Sequence, residues 1–241
     1  MSSLPLIGET AFAAPEGDSW RVRYFAPEME VPFCGHATIA LGAALAMREG
    51  DGRFALKLNN GDISVEGRKE GDLFAASLQS PPTRQRAAND AEVEQALALF
   101  SFDKEDLAPG LAPALIHAGA DHIVLPLRSR EKLASMHYDM ARGRTLMKRQ
   151  GWTTILLIYS ETPRRFHSRN PFASGGVYED PATGAATAAF AAYLRDSGWP
   201  HGGEIEIFQG EDMGSPSHLR AQIGNERGGS VRVSGTARLM E

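Results

Sequence analysis

Two acidic segments of the sequence each precede a glycine and an alanine-rich run, and their residue types suit acid–base chemistry. Glu30 lies shortly before Gly35, and the pair Glu179 and Asp180 lies shortly before Gly184. One acid on each side of a bound molecule can take a proton from one position and return it to another. The pattern therefore predicts isomerase or epimerase chemistry, provided that the fold brings the two segments together.

An internal repeat relates the two segments. Residues 35–41 align with residues 184–190, with Gly, Ala, Thr and Ala recurring in register, and the same offset places Glu30 opposite Glu179. An acid, a short proline-containing turn, a glycine and an alanine-rich helix occur in both copies. The repeat predicts two similar half-molecules, each with a helix N-terminus beside a carboxylate.

The starts of these two helices are candidate anion sites. A helix N-terminus offers unpaired backbone N–H groups and a partial positive charge, and a preceding glycine lets a ligand approach closely. The backbone around Gly35 and His36 in one half, and around Gly184 and Ala185 in the other, is therefore predicted to bind a substrate carboxylate. Such groups stabilise an oxyanion best where water is excluded, as in a cleft between two halves.

The elements that position these residues are mostly strands. Alternating or apolar runs predict strands at 21–26, 54–58, 62–66, 122–127, 153–159, 204–208 and 230–239, and Asn60-Gly61 suits a hairpin turn. Helices are predicted at 38–48, 91–100 and 187–195. Because strands dominate and do not alternate with helices, the pattern favours an α+β architecture over βαβ winding.

The composition of the chain argues against several classes of protein. The chain has 241 residues with 25 basic and 30 acidic side chains, a net charge of −5, which argues against a dedicated nucleic-acid binder. The single Cys34 excludes an internal disulfide framework and suits a reducing cytosol. The histidines show no metal-site spacing, so no metal is expected. The longest uncharged run, 31–47, contains Pro32 and is shorter than the roughly 20 apolar residues of a membrane span, so a cytoplasmic protein is predicted.

Three segments carry a resemblance to a known family. They read EVPFCGHAT at 30–38, EDPATG at 179–184 and QGEDMGSPS at 209–217. Together and in this order they resemble the signature segments of the PhzF (phenazine biosynthesis-like) family, which belongs with the diaminopimelate-epimerase-like fold. The resemblance runs through essentially the whole chain.

The resemblance implies two pseudo-symmetric halves, each a β-sheet wrapped around a central helix, with the site in the cleft. We place the halves at residues 1–109 and 110–233, and the last strand, near 234–241, returns to the first. A cofactor-independent isomerase of a small carboxylic acid is implied, and homodimers are common. The resemblance also implies that Glu30 is the base and that Asp180 helps to bind the substrate.

The chain departs from the family pattern in two places. The family usually has an opening strand and an Asn-Pro loop before the segment that matches residues 7–12, and this opening is absent here. An uncovered sheet edge would then need a partner chain. Ala185 stands where phenazine-forming members usually have a serine. We therefore expect a substrate other than the phenazine precursor.

Several alternatives stay open at this stage. Glu179 could be the second acid, and Asp180 could be a helix N-cap. Cys34 and Thr183 occupy the positions of the paired catalytic residues of related epimerases, and such a Cys/Thr pair resembles that of hydroxyproline dehydratases. A ligand-binding module with a degraded site is the alternative to an enzyme.

Overall fold

Residues 10–71 and 73–237 are described in a computed structural model of the chain. The strands are β1 Thr10–Glu16, β2 Ser19–Ala26, β3 Met29–Val31, β4 Gly52–Leu58, β5 Gly61–Glu70, β6 Leu73–Gln79, β7 Arg84–Ala87, β8 Ala114–His117, β9 Asp121–Leu127, β10 Thr154–Thr162, β11 Arg165–Arg169, β12 Pro171–Phe172, β13 Val177–Glu179, β14 Glu204–Gln209, β15 Ser217–Gln222 and β16 Arg232–Ala237. The α-helices are α1 Gly35–Glu49, α2 Asp90–Leu99, α3 Arg130–Ala134, α4 Met140–Gln150 and α5 Gly184–Asp196.

One long mixed sheet runs through the molecule in the order β1-β2-β4-β5-β6-β16-β15-β14-β11-β10-β9-β8-β7, with β3 paired to β2. The predicted α+β class is confirmed, since strand residues outnumber helical ones and the strands do not alternate regularly with helices. Of the two short parallel contacts, β2 with β4 lies in the first half and β11 with β14 in the second. A short parallel strand pair of this kind therefore occurs once in each half.

The first half wraps its strands around α1. This helix contacts β5, β6 and β16, and it ends at Gly50, whose positive φ of 92° suits a glycine C-cap. At Gly42 the helix comes so close to β5 that a Cβ atom would lie 2.4 Å from Val65 Cγ2. The small residues of α1 therefore allow the sheet to close tightly around the helix.

The second half repeats this arrangement around α5. Eleven of the thirteen residues of α5, Gly184 to Leu194, are buried, as expected for a helix that is apolar on all sides. A second apolar core lies on the other face of β9 and β10, where α2, α3 and α4 cover Leu125, Ile155 and Leu157. The predicted strands and helices of both halves are found, within a few residues at each end.

The two halves of the structure are not separated by a single boundary in the sequence. Strand β7 and helix α2 precede the boundary predicted at 109/110, yet β7 pairs with β8 and α2 packs on the second-half core. Strand β16 lies between β6 and β15, so the late strand joins both halves. Residues 238–241 of the predicted last strand lie outside the described residues, as do residues 1–9.

Candidate functional site

The N-termini of α1 and α5 meet at the centre of the molecule. A Cβ atom added to Gly35 would lie 2.5 Å from Gly184 Cα, and one added to Gly184 would lie 2.9 Å from Gly35 Cα. Both distances are shorter than real Cβ contacts, so only glycine permits this approach of two backbones. The two copies of the internal repeat therefore face each other, as their sequences predict.

A small cavity of about 20 Å³ lies beside this meeting point. It is lined by Val31, Phe33, Cys34, Gly35, His36, Ala120, His122, Thr153, Thr154, Phe172, Asp180, Thr183 and Ala185. The space is about that of one water molecule. A molecule larger than water would therefore enter only if the lining residues moved apart.

The cavity brings together an imidazole, a carboxylate and a thiol from the predicted segments. His36 Nδ1 lies 3.6 Å from Asp180 Oδ1, across the boundary between α1 and the turn before α5. Cys34 Sγ lies 3.6 Å from the same ring nitrogen. The Asp180 side chain is only 2% exposed, whereas that of His36 is 24% exposed. This arrangement places a titratable ring against a buried acid, which is a suitable pair for proton transfer.

Asp180 is held rigidly by its own half. Its Oδ2 accepts a hydrogen bond of 2.6 Å from Thr183 Oγ1, and its Oδ1 accepts one of 3.2 Å from the Ala182 N–H. The residue that caps α5 is Thr183, so the alternative of Asp180 as the N-cap is wrong. Asp180 instead closes the turn before the helix, with one oxygen left facing His36.

Gln209 supports this turn and was not singled out as a site residue from the sequence. Its side-chain Nε2 donates to the Asp180 carbonyl at 2.6 Å and to Thr183 Oγ1 at 3.0 Å, and its Oε1 accepts from the Thr183 N–H. The next residue, Gly210, has a φ of 78°, and a Cβ there would lie 2.2 Å from the Ser215 carbonyl oxygen. The Gln-Gly pair of the third signature segment thus positions the second.

Glu30 lies outside the cavity. Its Oε1 and Oε2 accept hydrogen bonds of 2.9 and 2.7 Å from Arg23, and Asn59 Nδ2 donates at 2.6 Å. The hydrogen bonds from Arg23 lower the pKa of Glu30 to about 2, with a further contribution from Asn59. A carboxylate of such low pKa is a weak base near neutral pH. Glu30 is thus held by Arg23 and Asn59 and does not line the cavity that contains Asp180.

Glu179, the alternative second acid, is used in a buried ion pair. Its carboxylate receives hydrogen bonds of 3.0 and 2.5 Å from Arg169, and Arg169 also donates to the carbonyls of Ala134 and Met136. Its side chain is 2% exposed. Glu179 therefore anchors β13 to β11 and to the end of α3.

The Cys34 and Thr183 side chains both line the cavity, as the alternative of a Cys/Thr pair requires. The Thr183 hydroxyl, however, donates its proton to Asp180. It is therefore engaged in holding the acid.

Sequence reasoning also missed a buried histidine on the cavity wall. His122 lies on β9 and is 1% exposed, and its Nδ1 lies 2.7 Å from the Thr154 hydroxyl oxygen on β10. Nothing in the spacing of the histidines marks it, because its hydrogen-bond partner is Thr154, which in turn donates to Asn170. Over residues 10–71 and 73–237, no cluster of three His, Cys, Asp or Glu residues forms a metal site. In the same ranges, no helix is long and apolar enough to cross a membrane.

The sequence profile of the phenazine biosynthesis-like proteins (PhzC-PhzF) matches residues 6–241. The chain belongs to this family. Among named relatives, trans-2,3-dihydro-3-hydroxyanthranilate isomerase of Pseudomonas aeruginosa is 32% identical, and the match covers 91% of this chain and 76% of the relative. The isomerase of the same name from Pseudomonas fluorescens is 31% identical over 89% of this chain and 74% of its own. The chain is thus a PhzF-like isomerase.

Solved structures give the same fold. A predicted epimerase of Pseudomonas aeruginosa superimposes with a TM-score of 0.82 and 25% identity, covering 98% of this chain and 85% of that one. A hydroxyproline epimerase of Agrobacterium vitis, at 12% identity, still gives a TM-score of 0.62 over 96% of this chain and 72% of its own. The expected diaminopimelate-epimerase-like architecture is confirmed by the first of these, and the second agrees with it in fold.

Proposed function

We propose that this isomerase moves a proton within a small carboxylic acid and needs no cofactor for the step. One observation carries the proposal: His36 and Asp180 lie 3.6 Å apart in a cavity where two helix N-termini converge. The helix ends favour a negative charge. The substrate carboxylate would bind there, while its reacting carbons face His36.

In this mechanism His36 is the proton carrier and Asp180 is its partner. The imidazole takes a proton from one carbon, and the imidazolium that forms is stabilised by the buried Asp180 carboxylate. The same proton is then returned to another carbon, so no external acid is consumed. Apolar walls from Phe33 and Phe172 exclude water and strengthen these interactions. Glu30 has no part in the transfer, because its carboxylate is held by Arg23.

The substrate is proposed to differ from that of the named relatives. Those relatives are isomerases of trans-2,3-dihydro-3-hydroxyanthranilate. Ala185 lies on the cavity wall where a serine is usual for phenazine-forming members, so a hydroxyl contact is missing. A different small carboxylic acid, without the group that a serine would bind, fits this wall.

Proton exchange in heavy water tests the proposed function. Small cyclic and branched carboxylic acids are incubated with the protein, and deuterium incorporation is followed by mass spectrometry. For an acid that exchanges, we expect His36→Gln and Asp180→Asn to slow exchange by about 100-fold or more, the scale of a lost acid–base catalyst. Arg23→Gln, outside the cavity, is the matched control. Exchange at wild-type rates in both cavity variants would refute the mechanism, and no exchange with any acid would favour the binding-module alternative.

We also propose a cytoplasmic homodimer. The single cysteine of the chain, Cys34, is buried, and a chain with no cysteine pair suits a reducing compartment. Among the strands of residues 10–71 and 73–237, β1 lies at one end of the sheet, and its Phe12 is 61% exposed, which suits burial against a second copy. Sedimentation analysis tests this: we expect a dimer that is weakened by Phe12→Ser, and a monomer at all concentrations would contradict it.

A further inference from the structure

A buried chain of three polar side chains ends on the wall of the cavity. The Thr154 hydroxyl donates to Asn170 Oδ1 at 2.9 Å, and His122 Nδ1 lies 2.7 Å from the same hydroxyl oxygen. All three residues are almost completely buried. His122 and Thr154 line the cavity, and Asn170 lies behind them, where its backbone carbonyl accepts from the Asp180 N–H.

The order of donors in this chain fixes the form of His122. A hydroxyl has one proton, and Thr154 gives it to Asn170, so the Thr154 oxygen acts toward His122 as an acceptor. With Asn170 oriented so that its Oδ1 faces the Thr154 hydroxyl, His122 carries its proton on Nδ1. Burial lowers the pKa of His122 to about 3, so the ring stays neutral through the physiological range. Nε2 is then left with a lone pair and no proton.

This Nε2 atom is buried and has no hydrogen-bond partner among the described residues. Buried polar atoms are nearly always paired, and an orphaned one at a cavity wall suggests a missing ligand. Cys34, His36, Thr153 and Thr183 also line the cavity and carry donors, but none of them is hydrogen-bonded to His122 Nε2. A donor that occupies the cavity, from a ligand or from water, would pair this atom.

We propose that His122 Nε2 accepts a hydrogen bond from a hydroxyl or amino group of the substrate and so selects for a donor-bearing carboxylic acid. The inference rests on the proposed function for its carboxylate site, and it adds a second recognition point on the wall formed by β9 and β10. The proposed substrate is a carboxylic acid that also carries a hydroxyl or amino group. Its carboxylate binds at the helix N-termini, and its hydroxyl or amino group donates to His122. Thr154 is a positioning residue, because it acts by fixing the ring's tautomer.

Three matched ligands test whether His122 Nε2 accepts a hydrogen bond in this contact. The probes are benzoate, 3-hydroxybenzoate and 3-methoxybenzoate, which share a carboxylate but differ in their ability to donate. Binding to the wild type is measured by titration calorimetry and compared with His122→Phe, which keeps a flat ring and removes the acceptor. We expect the wild type to prefer 3-hydroxybenzoate over the methoxy compound by about tenfold or more, the scale of a lost buried hydrogen bond. The variant should bind all three acids alike.

The outcomes separate the two proposals. Equal binding of the three acids to wild type and variant would overturn the role of His122 but leave the carboxylate site standing. A preference for the methoxy compound would mean that Nε2 carries a proton, and it would overturn the tautomer assignment. No binding of any of the acids, with no exchange of other acids in heavy water, would overturn both.

Nitrogen NMR of histidine-labelled protein tests the tautomer without any ligand. The neutral form with its proton on Nδ1 gives Nε2 the chemical shift of an unprotonated nitrogen, and we expect this signal for His122 between pH 5 and 8. Thr154→Val removes the acceptor for Nδ1–H with little change of shape, so it should produce a mixture of the two tautomers. An unprotonated Nδ1 in the wild-type spectrum would refute the inference even if His122→Phe fails to fold.

Discussion

The two halves of the molecule contain the same acid–arginine pair in two environments. In the first half Glu30 pairs with Arg23 at the surface, where the glutamate side chain is 28% exposed. In the second half its repeat partner Glu179 pairs with Arg169, and both side chains are almost fully buried. Each pair joins the short strand before the central helix to an earlier strand of the same half. Each half therefore binds its copy of the repeated acid with an arginine, although Arg23 and Arg169 are not at equivalent positions of the repeat.

This comparison changes the interpretation of the repeat. An acid that recurs in register beside two helix N-termini invites a catalytic assignment, but here both copies of the acid are bound to arginine. The catalytic candidates are the residues in which the halves differ. His36 in the first half and Asp180 in the second have no counterpart of the same type at the equivalent position, Ala185 and Val31 respectively. A symmetric frame thus holds an asymmetric pair, His36 and Asp180, which we propose as the reacting groups.

The largest expected effect is on the buried pair. Glu179→Ala leaves Arg169 charged and buried without its partner, and we expect a loss of about 3 to 5 kcal/mol in the free energy of unfolding. Urea denaturation followed by circular dichroism measures it. The conservative Glu179→Asp should lose less, and a loss below about 1 kcal/mol for Glu179→Ala would contradict the assigned role.

A double substitution sharpens the comparison. Replacing both partners, as Glu179→Leu with Arg169→Met, removes the unpaired charge, and apolar replacements of whole buried pairs are often neutral. We expect this variant to recover at least half of the stability that Glu179→Ala loses. Two carbonyls, those of Ala134 and Met136, lose their donor in the process, so full recovery is not expected. A double variant no more stable than the single one would show that these carbonyl contacts matter more than the charge.

The smallest effect is expected at Glu30. Since the pKa of Glu30 is lowered to about 2 from its ordinary 4.5, the pair stabilises the folded state fully above pH 4.5, and this contribution is lost as the pH falls toward 2. The difference in urea midpoint between wild type and Glu30→Gln should therefore be small at pH 7 and vanish at pH 2. Proton exchange activity should stay close to the wild-type rate. A large loss of activity in Glu30→Gln with unchanged stability would restore Glu30 as the base.

The sequence predicted the two central helices of this protein well. It predicted the proposed site around His36 and Asp180 only in part. The small-residue run from Gly35 and its copy from Gly184 indicated two central helices, since the repeat is a property of the letters themselves. The predicted helices start three residues too late, because glycine is a poor helix former and its role here is close backbone contact. Helix α4 was missed for a similar reason: Gly143 interrupts its pattern, and that glycine makes room for the Tyr138 ring.

The site depends on distances that no local pattern contains. His36, Asp180 and Cys34 were among the predicted site residues, and the structure gathers them around one cavity. Which face of β3 points inward cannot be read from its three residues. The sequence predicted Glu30 as the site residue of this strand, whereas in the structure its neighbour Val31 lines the cavity. His122 and Gln209 are held by partners that lie 26 or more positions away, beyond the reach of spacing rules.

The place of β16 has a consequence for how the chain acquires its structure during synthesis. Ser80 and Val231 exchange hydrogen bonds although they are 151 positions apart, and β16 completes the sheet around α1. A ribosome releases the chain from its N-terminal end, so the first half waits for its final strand until nearly all of the second half has emerged. Contacts of such long range form slowly. The strand edge of β6 therefore stays open to wrong partners for most of translation, and a chaperone that shields it would raise the yield of native enzyme.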